Sequence, residues 1–267
     1  MQTLKHRTSR FKDNHLFSAE YHLAVEELLE IYVADAPYAV IMRLPGDDLN
    51  LAAGFCFTEG IIKSRDDLVA IKRCEANSSK SRVLVHLKHE QPKDHTRPEE
   101  RPVYVSQSSC GLCGRSKADE IFRRLDPVAA SHHLQLRELL ALKTLFETKQ
   151  TIFQLTGATH SASVFDLDCK MLAFAEDIGR HNAFDKVIGR LVLGSATQDA
   201  FLAIVSSRLS FEMVQKAAVL GLEIFCGLSA PTSMAVSMAE QLNITLIGFL
   251  RENSMSIYSH PDRILNS

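Results

Sequence analysis

The chain reads as an α/β protein preceded by a smaller β-rich portion, and three features predict this. After residue 160, short apolar runs alternate with helical stretches of about ten residues, the rhythm of a mixed, largely parallel sheet covered by helices. Before residue 103, apolar runs face one another across turns with little helix between them. A charged, proline-bearing connection at 90–102 separates the two regions. The corresponding division is a β-rich portion over 1–102, a cysteine-loop segment over 103–133 and an α/β portion over 134–267. The same boundaries are compatible with one integrated domain of about 20–267.

In the first portion, residues 23–33 and 38–44 predict two strands about a turn at Pro37. Asp47 and Asp48 open a helix that ends at Gly60. Residues 68–74 and 82–88 predict a hairpin turning over 76–81, and a strand at 103–106 leads into the cysteine loop. Ser116 opens a helix through Ile121, Phe122 and Leu125. Over 134–155, leucines 136, 139, 140, 142 and 145 give an amphipathic helix whose apolar face packs as core. Strands at 161–166, 171–176, 201–206, 223–226, 244–250 and 256–258 then alternate with helices at 180–193, 211–220 and 231–242.

Composition narrows the function. With 46% hydrophobic residues in 267, the chain can bury a full core. A balance of 30 basic and 32 acidic residues leaves a net charge of −2, no footprint for bulk nucleic-acid binding, so any nucleotide contact is local. The first residues are polar and basic without the apolar stretch of a leader, and no run of about 18 apolar residues occurs. These features predict a soluble cytoplasmic protein with no membrane partner.

Chemistry concentrates in Ser108-Ser109-Cys110-Gly111-Leu112-Cys113-Gly114, the one Cys-x-x-Cys; Cys56, Cys74, Cys169 and Cys226 stand singly. Glycines and serines predict an exposed loop, and a neighbouring thiol favours the reactive thiolate. A structural zinc would need two more ligands, and neither a second cysteine pair nor a His-x3–5-His follows, so zinc is not expected. A zinc nucleobase deaminase would carry an upstream His/Cys-x-Glu and a proline where Ser109 stands. A thioredoxin-type pair belongs at a helix start after the first strands, whereas this one sits mid-chain. Persulfide carriage fits the pair: one thiolate accepts a sulfane sulfur and the other releases it by forming a disulfide.

In an α/β sheet, ligands collect beyond the carboxyl ends of the strands, at helix starts. Four such loops are polar here: Glu176 to Asn182, which includes His181; Ser206, Ser207 and Arg208; Gly227 to Ser233; and Arg251 to Ser254. Free N–H groups, hydroxyls and arginines make phosphate sites, and four together predict a ligand with several phosphates. Singly, each reads equally as a helix cap. His160 and His181 also have a structural reading, and Glu176 and Asp177 that of acids favourable at a helix start. His132 and His133 read as facing water, and Met213, Met234 and Met238 as helix packing.

Together, Ser109 to Gly114, Thr156-Gly157-Ala158-Thr159-His160, Glu176-Asp177-Ile178-Gly179-Arg180-His181-Asn182-Ala183-Phe184-Asp185-Lys186, Ser206-Ser207-Arg208 and Ile247 to Arg251 strongly resemble the FdhD/NarQ family. These are accessory sulfurtransferases needed for active formate dehydrogenase, and the resemblance runs from about residue 20 to the end. It implies a cytoplasmic homodimer with a core like that of cytidine deaminases without the zinc. It further implies that a cysteine desulfurase loads a persulfide on Cys110, with Cys113 as helper. The sulfur would pass to molybdenum of the bis(molybdopterin guanine dinucleotide) cofactor before formate dehydrogenase receives it. The implied cofactor contacts are Phe249, Leu250, Arg251, Glu252, Asn253 and Ser254, with GDP as a fragment mimic. Glu252 departs from relatives, which often have a small residue there. Two other functions remain open beside this one, a non-catalytic cofactor chaperone and a dithiol oxidoreductase.

Overall fold

A computed structural model describes residues 1–75, 81–88, 104–105, 125–129 and 132–266. The chain opens with β1 (Thr3–Lys12) and β2 (His15–Ala24), an antiparallel hairpin turned by Asp13 and Asn14 at φ 50° and 62°. Short polar side chains tolerate that left-handed backbone. Both faces of the hairpin are largely exposed, so residues 1–24 carry no core-facing stripe that would announce the strands. Strands β3 (Glu27–Val33) and β4 (Ala36–Arg43) turn at Ala34 and Asp35, and Pro37 lies inside β4 rather than at the turn. Helix α1 (Asp48–Thr58) follows, then the antiparallel pair β5 (Leu68–Glu75) and β6 (Ser81–Leu87), and β7 (Tyr104–Val105). The order β5-β6-β3-β4-β7 makes one sheet. The connection at 90–102, the cysteine loop and the helix expected from Ser116 lie outside the described residues.

The helix expected over 134–155 is divided into β8 (Leu134–Gln135), α2 (Leu136–Thr148) and α3 (Thr151–Thr156). Next come β9 (His160–Phe165), β10 (Met171–Asp177), α4 (Arg180–Leu193), β11 (Leu202–Val205), α5 (Phe211–Leu220), β12 (Ile224–Gly227), α6 (Ser233–Gln241), β13 (Thr245–Gly248), β14 (Ser256–Ile257) and β15 (Ile264–Leu265). The main sheet runs β10-β9-β11-β12-β13-β14.

That sheet is mixed, as expected, but it is not largely parallel: β11-β12 and β12-β13 are parallel, while β10-β9, β9-β11 and β13-β14 are antiparallel. Connection length is the cause. β9 and β10 are joined by residues 166–170, a link that can only double back, whereas α5 and α6 provide the crossovers that parallel neighbours need. Because β9 lies antiparallel between β10 and β11, the carboxyl ends of β10, β11, β12 and β13 all reach one edge of the sheet. The start of β9 reaches it too.

One face of the sheet, with Ala162, Val164, Ala203, Val205, Phe225 and Leu246, packs on α4, α5 and α6. The other, with Phe165, Leu202, Ile204 and Ile247, packs on Leu139, Leu142 and Phe146 of α2. The first core continues through α1 to Leu29, Ile31, Val83 and Val85 of the N-terminal sheet. Helices α1 and α4 cross where two glycines meet backbone: a Cβ on Gly54 would stand 1.9 Å from the Asp185 carbonyl oxygen, and one on Gly189 would stand 1.8 Å from that of Asn50. No side chain fits at either position.

Candidate functional site

The Glu176–Lys186 stretch, the most distinctive in the sequence, divides its work. Glu176 ends β10 with a carboxylate that accepts from the N–H groups of Ile152 and Phe153 and from Thr159 Oγ1, so it serves the start of α3. Asp177 is fully buried; its Oδ1 accepts from Gly179 N and Asn182 Nδ2, and its Oδ2 accepts from Leu44 N. Lys186 lies 2.6 Å from the same Oδ2 and donates to the carbonyls of Leu44 and Glu176. Asn182 Nδ2 also reaches the Met42 carbonyl. Asp185 pairs with Lys216 at 2.8 Å and accepts from Thr58 Oγ1. These groups fasten the N-terminal sheet and α1 to the C-terminal sheet. Arg180 and His181 are the members that remain at the sheet edge.

At this edge they meet residues from β9 and the loop after β11. His160 Nδ1 is 3.3 Å from Ser206 Oγ, which also accepts from Ser161 N. Burial pushes the His160 imidazole below its usual pKa, and Arg180, His181 and Arg208 push the same way against Asp177. His181 Nε2 lies 3.1 Å from Glu212 Oε2 on α5, and this hydrogen bond is the main reason that the Glu212 carboxyl is held below its usual range. Arg208 is exposed, whereas Ser207 is buried with its Oγ turned back on the Arg208 carbonyl. Neither α4 nor α5 has a side-chain cap, while α6 is capped by Thr232 Oγ1 from Ala235 N. The loop before α6 therefore satisfies its own helix start, and Pro231 precedes the cap rather than occupying the first turn.

Beyond β13 the backbone turns out of the sheet. Phe249 takes φ 52° and is 43% exposed, while Leu250 is buried in the core beneath it. Positive φ is uncommon for so bulky a residue, so the surrounding loops must hold this turn. Phe249 N and Leu250 N bond the carbonyls of Ser229 and Gly227, and Arg251 N bonds that of Ser254. The Arg251 guanidinium donates to the carbonyls of Leu228 and Leu250, and Glu252, Asn253 and Ser254 face solvent. A Cβ on Gly248 would press on Pro231, Tyr258 and the Ser229 carbonyl, so glycine is what lets the loops after β12 and β13 touch. Leu209 N and Thr232 N, bonded to Ala230 O and Leu209 O, join the loop after β11 to the same group.

The structure thus brings Ser206, Ser207, Arg208, His181 and residues 249–254 to one sheet edge. It adds His160, to which the sequence also assigns a structural role, Arg180, which the sequence places only as one member of the Glu176–Asn182 loop, and Glu212, which sequence reasoning passed over. The signal for Arg180 was its place as first residue of a helix that follows a strand end. Cys110 and Cys113 lie outside the described residues. Among the other cysteines, burial pushes the Cys56 thiol up to about 12 and also raises those of Cys226 and Cys169, which leaves them poor nucleophiles. His132 is exposed, as expected, and also lies 3.1 Å from Glu223 with its ring edge-on to Phe201.

The fold and this edge define a mixed α/β protein whose strand ends, helix starts and basic side chains share one rim. The chain belongs to the FdhD/NarQ family, whose model it matches over residues 24–265. It is 36% identical to the sulfur carrier protein FdhD of Sulfolobus acidocaldarius over 266 residues, 99% of each chain. It is 39% identical to that of Mycolicibacterium paratuberculosis, covering 96% of this chain and 98% of the other. Its fold matches the crystal structure of a putative formate dehydrogenase accessory protein from Desulfotalea psychrophila with a TM-score of 0.79, at 23% identity, over 99% of this chain and 100% of that one. Among the described residues, no helix is long and apolar enough to cross a membrane.

Proposed function

We propose that this protein is a sulfurtransferase that carries sulfur from a cysteine desulfurase to the molybdenum of bis(molybdopterin guanine dinucleotide), the cofactor of a formate dehydrogenase. Cys110 thiolate attacks the terminal sulfur of the desulfurase persulfide, the desulfurase thiolate leaves, and Cys110 holds the new persulfide. Cys113 thiolate then attacks the Cys110 sulfur, which expels the outer sulfur as sulfide for the metal. This leaves a Cys110–Cys113 disulfide, which a cellular dithiol reduces before the next cycle. The protein works as a cytoplasmic homodimer, and its core follows the cytidine-deaminase arrangement without zinc.

The observation that carries the cofactor half of this reading is the shared sheet edge. Arg208 and His181 lie there beside the turn at Phe249, where cationic side chains and helix starts suit phosphates. The exposed Phe249 ring and the polar Glu252, Asn253 and Ser254 suit a base with hydrogen-bonding edges. The carrier half rests on Cys-x-x-Cys chemistry and on the family's curated sulfur carriers. Mass spectrometry after incubation with a cysteine desulfurase and cysteine tests it. The peptide holding Cys110 should gain one sulfur atom, and an unmodified peptide under conditions that load a known acceptor would overturn the reading.

A further inference from the structure

Among the described residues, two cations at this edge make no salt bridge, although Arg180 helps to hold the Glu212 carboxyl down. Asp177 is taken up by Lys186, Asn182 and Gly179, and Glu212 is taken up by His181. Arg180 remains, the first residue of the 14-residue α4, with a buried Nε that has no hydrogen-bond partner among the described residues. Arg208 remains as well, two residues before Ser210. Ser210 stands at the start of the 10-residue α5 with a buried, unpartnered Oγ, and it does not cap its helix. His160 lies among these groups, opposite Asp177 in the β9-β10 register.

We infer that His160, Arg180, His181 and Arg208, with the open starts of α4 and α5, form a site for one diphosphate group. Buried guanidinium N–H, unmet hydroxyl and uncapped helix N–H groups are all donors, and a tetrahedral anion with several acceptor oxygens satisfies them together. The choice of anion rests on the nucleotide reading above. Three strand spacings separate β9 from β13, roughly 14 Å, a span of the order of an extended nucleoside diphosphate. A diphosphate at Arg180 and Arg208 therefore leaves the base at Phe249, and the two ends of the edge hold the two ends of one ligand.

Proton uptake follows from the same geometry. The groups that face His160 are Arg180 and His181 from α4, Ser206 and Arg208 from the loop after β11, and Asp177 from β10; Glu212 of α5 acts through His181. Burial, with Arg180, His181 and Arg208 beside it, holds the free imidazole below its usual pKa. An anion seated among them reverses that balance and favours the imidazolium, so binding draws a proton from solvent. Affinity should rise as pH falls through the interval between the free and the bound pKa of His160, and level off outside it.

Titration calorimetry on the full chain tests this with inorganic pyrophosphate, GDP and sulfate, the last because its charge stays fixed across about pH 5 to 8, where histidine titrates. Pyrophosphate should bind and compete with GDP. Arg180→Ala and Arg208→Ala should each weaken pyrophosphate about tenfold, equal to about 1.4 kcal/mol. In buffers of different ionisation enthalpy, sulfate binding should be accompanied by uptake of part of a proton by the unaltered protein and of none by His160→Gln. Unchanged pyrophosphate affinity in both arginine variants, or equal proton uptake in His160→Gln, would overturn the inference even if GDP binds. If pyrophosphate binds through Arg180 and GDP binds no better than pyrophosphate alone, this site stands and the nucleotide reading fails.

Discussion

Lys186 Nζ lies 2.6 Å from Asp177 Oδ2, with both side chains buried between the two sheets. The ammonium also donates to the Leu44 and Glu176 carbonyls, and the carboxylate accepts from Leu44 N. One residue of the N-terminal portion is thus held by both members of a C-terminal ion pair.

Lys186→Met should therefore destabilise the fold by about 3–5 kcal/mol, the cost of stranding a buried charge. Asp177→Asn added to it should recover part of that loss, because the stranded charge is removed. Urea unfolding of the two variants measures both effects, and a single variant as stable as the parent would contradict the role given to the pair.

Gly189→Ala should cost about 3 kcal/mol, the upper end of overpacking penalties. Its new methyl would meet the Asn50 backbone at 1.8 Å, and backbone cannot swing aside as a side chain does. Gly221→Ala serves as a contrast, since nothing lies within 4 Å of its Cβ position and its cost comes from the positive φ of 79° alone. Thermal unfolding should rank the first well below the second.

Glu212 gives a pH dependence. Its folded pKa is below the unfolded value because His181 donates to it, so it contributes stability above the usual carboxylate range. That contribution is lost as pH falls through the lowered folded value. Urea midpoints taken downward through this range should fall less steeply for Glu212→Gln than for the parent. Identical slopes would mean that the His181 contact does not persist in solution.

Cys110→Ser should abolish both the added sulfur and the activation of formate dehydrogenase, because a hydroxyl neither ionises near neutrality nor carries sulfane sulfur. GDP affinity should be unchanged. Full activation by this variant would remove the carrier role and favour a non-catalytic cofactor chaperone. Cys113→Ser should slow turnover more than loading.

Alkylation of the native protein checks the remaining thiols. Cys56 and Cys226 should resist iodoacetamide at neutral pH, since burial raises both and no solvent reaches them. Exposed Cys74 should react. Peptide mapping decides it, and rapid labelling of Cys226 would indicate that the central sheet opens.

Local pattern by itself determined most elements of the C-terminal half. Helix Arg180–Leu193 and helix Phe211–Leu220 lie where their spacing places them, because a 3.6-residue apolar period and short buried strands are properties of neighbours in the chain. The same is true of the four polar loops and of the family, which motif residues carry. Strand order was decided only by the tertiary structure: the five-residue link makes β9 and β10 antiparallel, but nothing local places β9 between β10 and β11. The β1-β2 hairpin escaped notice because strands exposed on both faces have no apolar alternation to betray them. Within one motif, the division of Glu176, Asp177 and Lys186 to fastening and of Arg180 and His181 to the rim also depended on the fold. A carboxylate's role is set by which donors surround it, and those donors, Leu44 N and Ile152 N among them, come from distant parts of the chain.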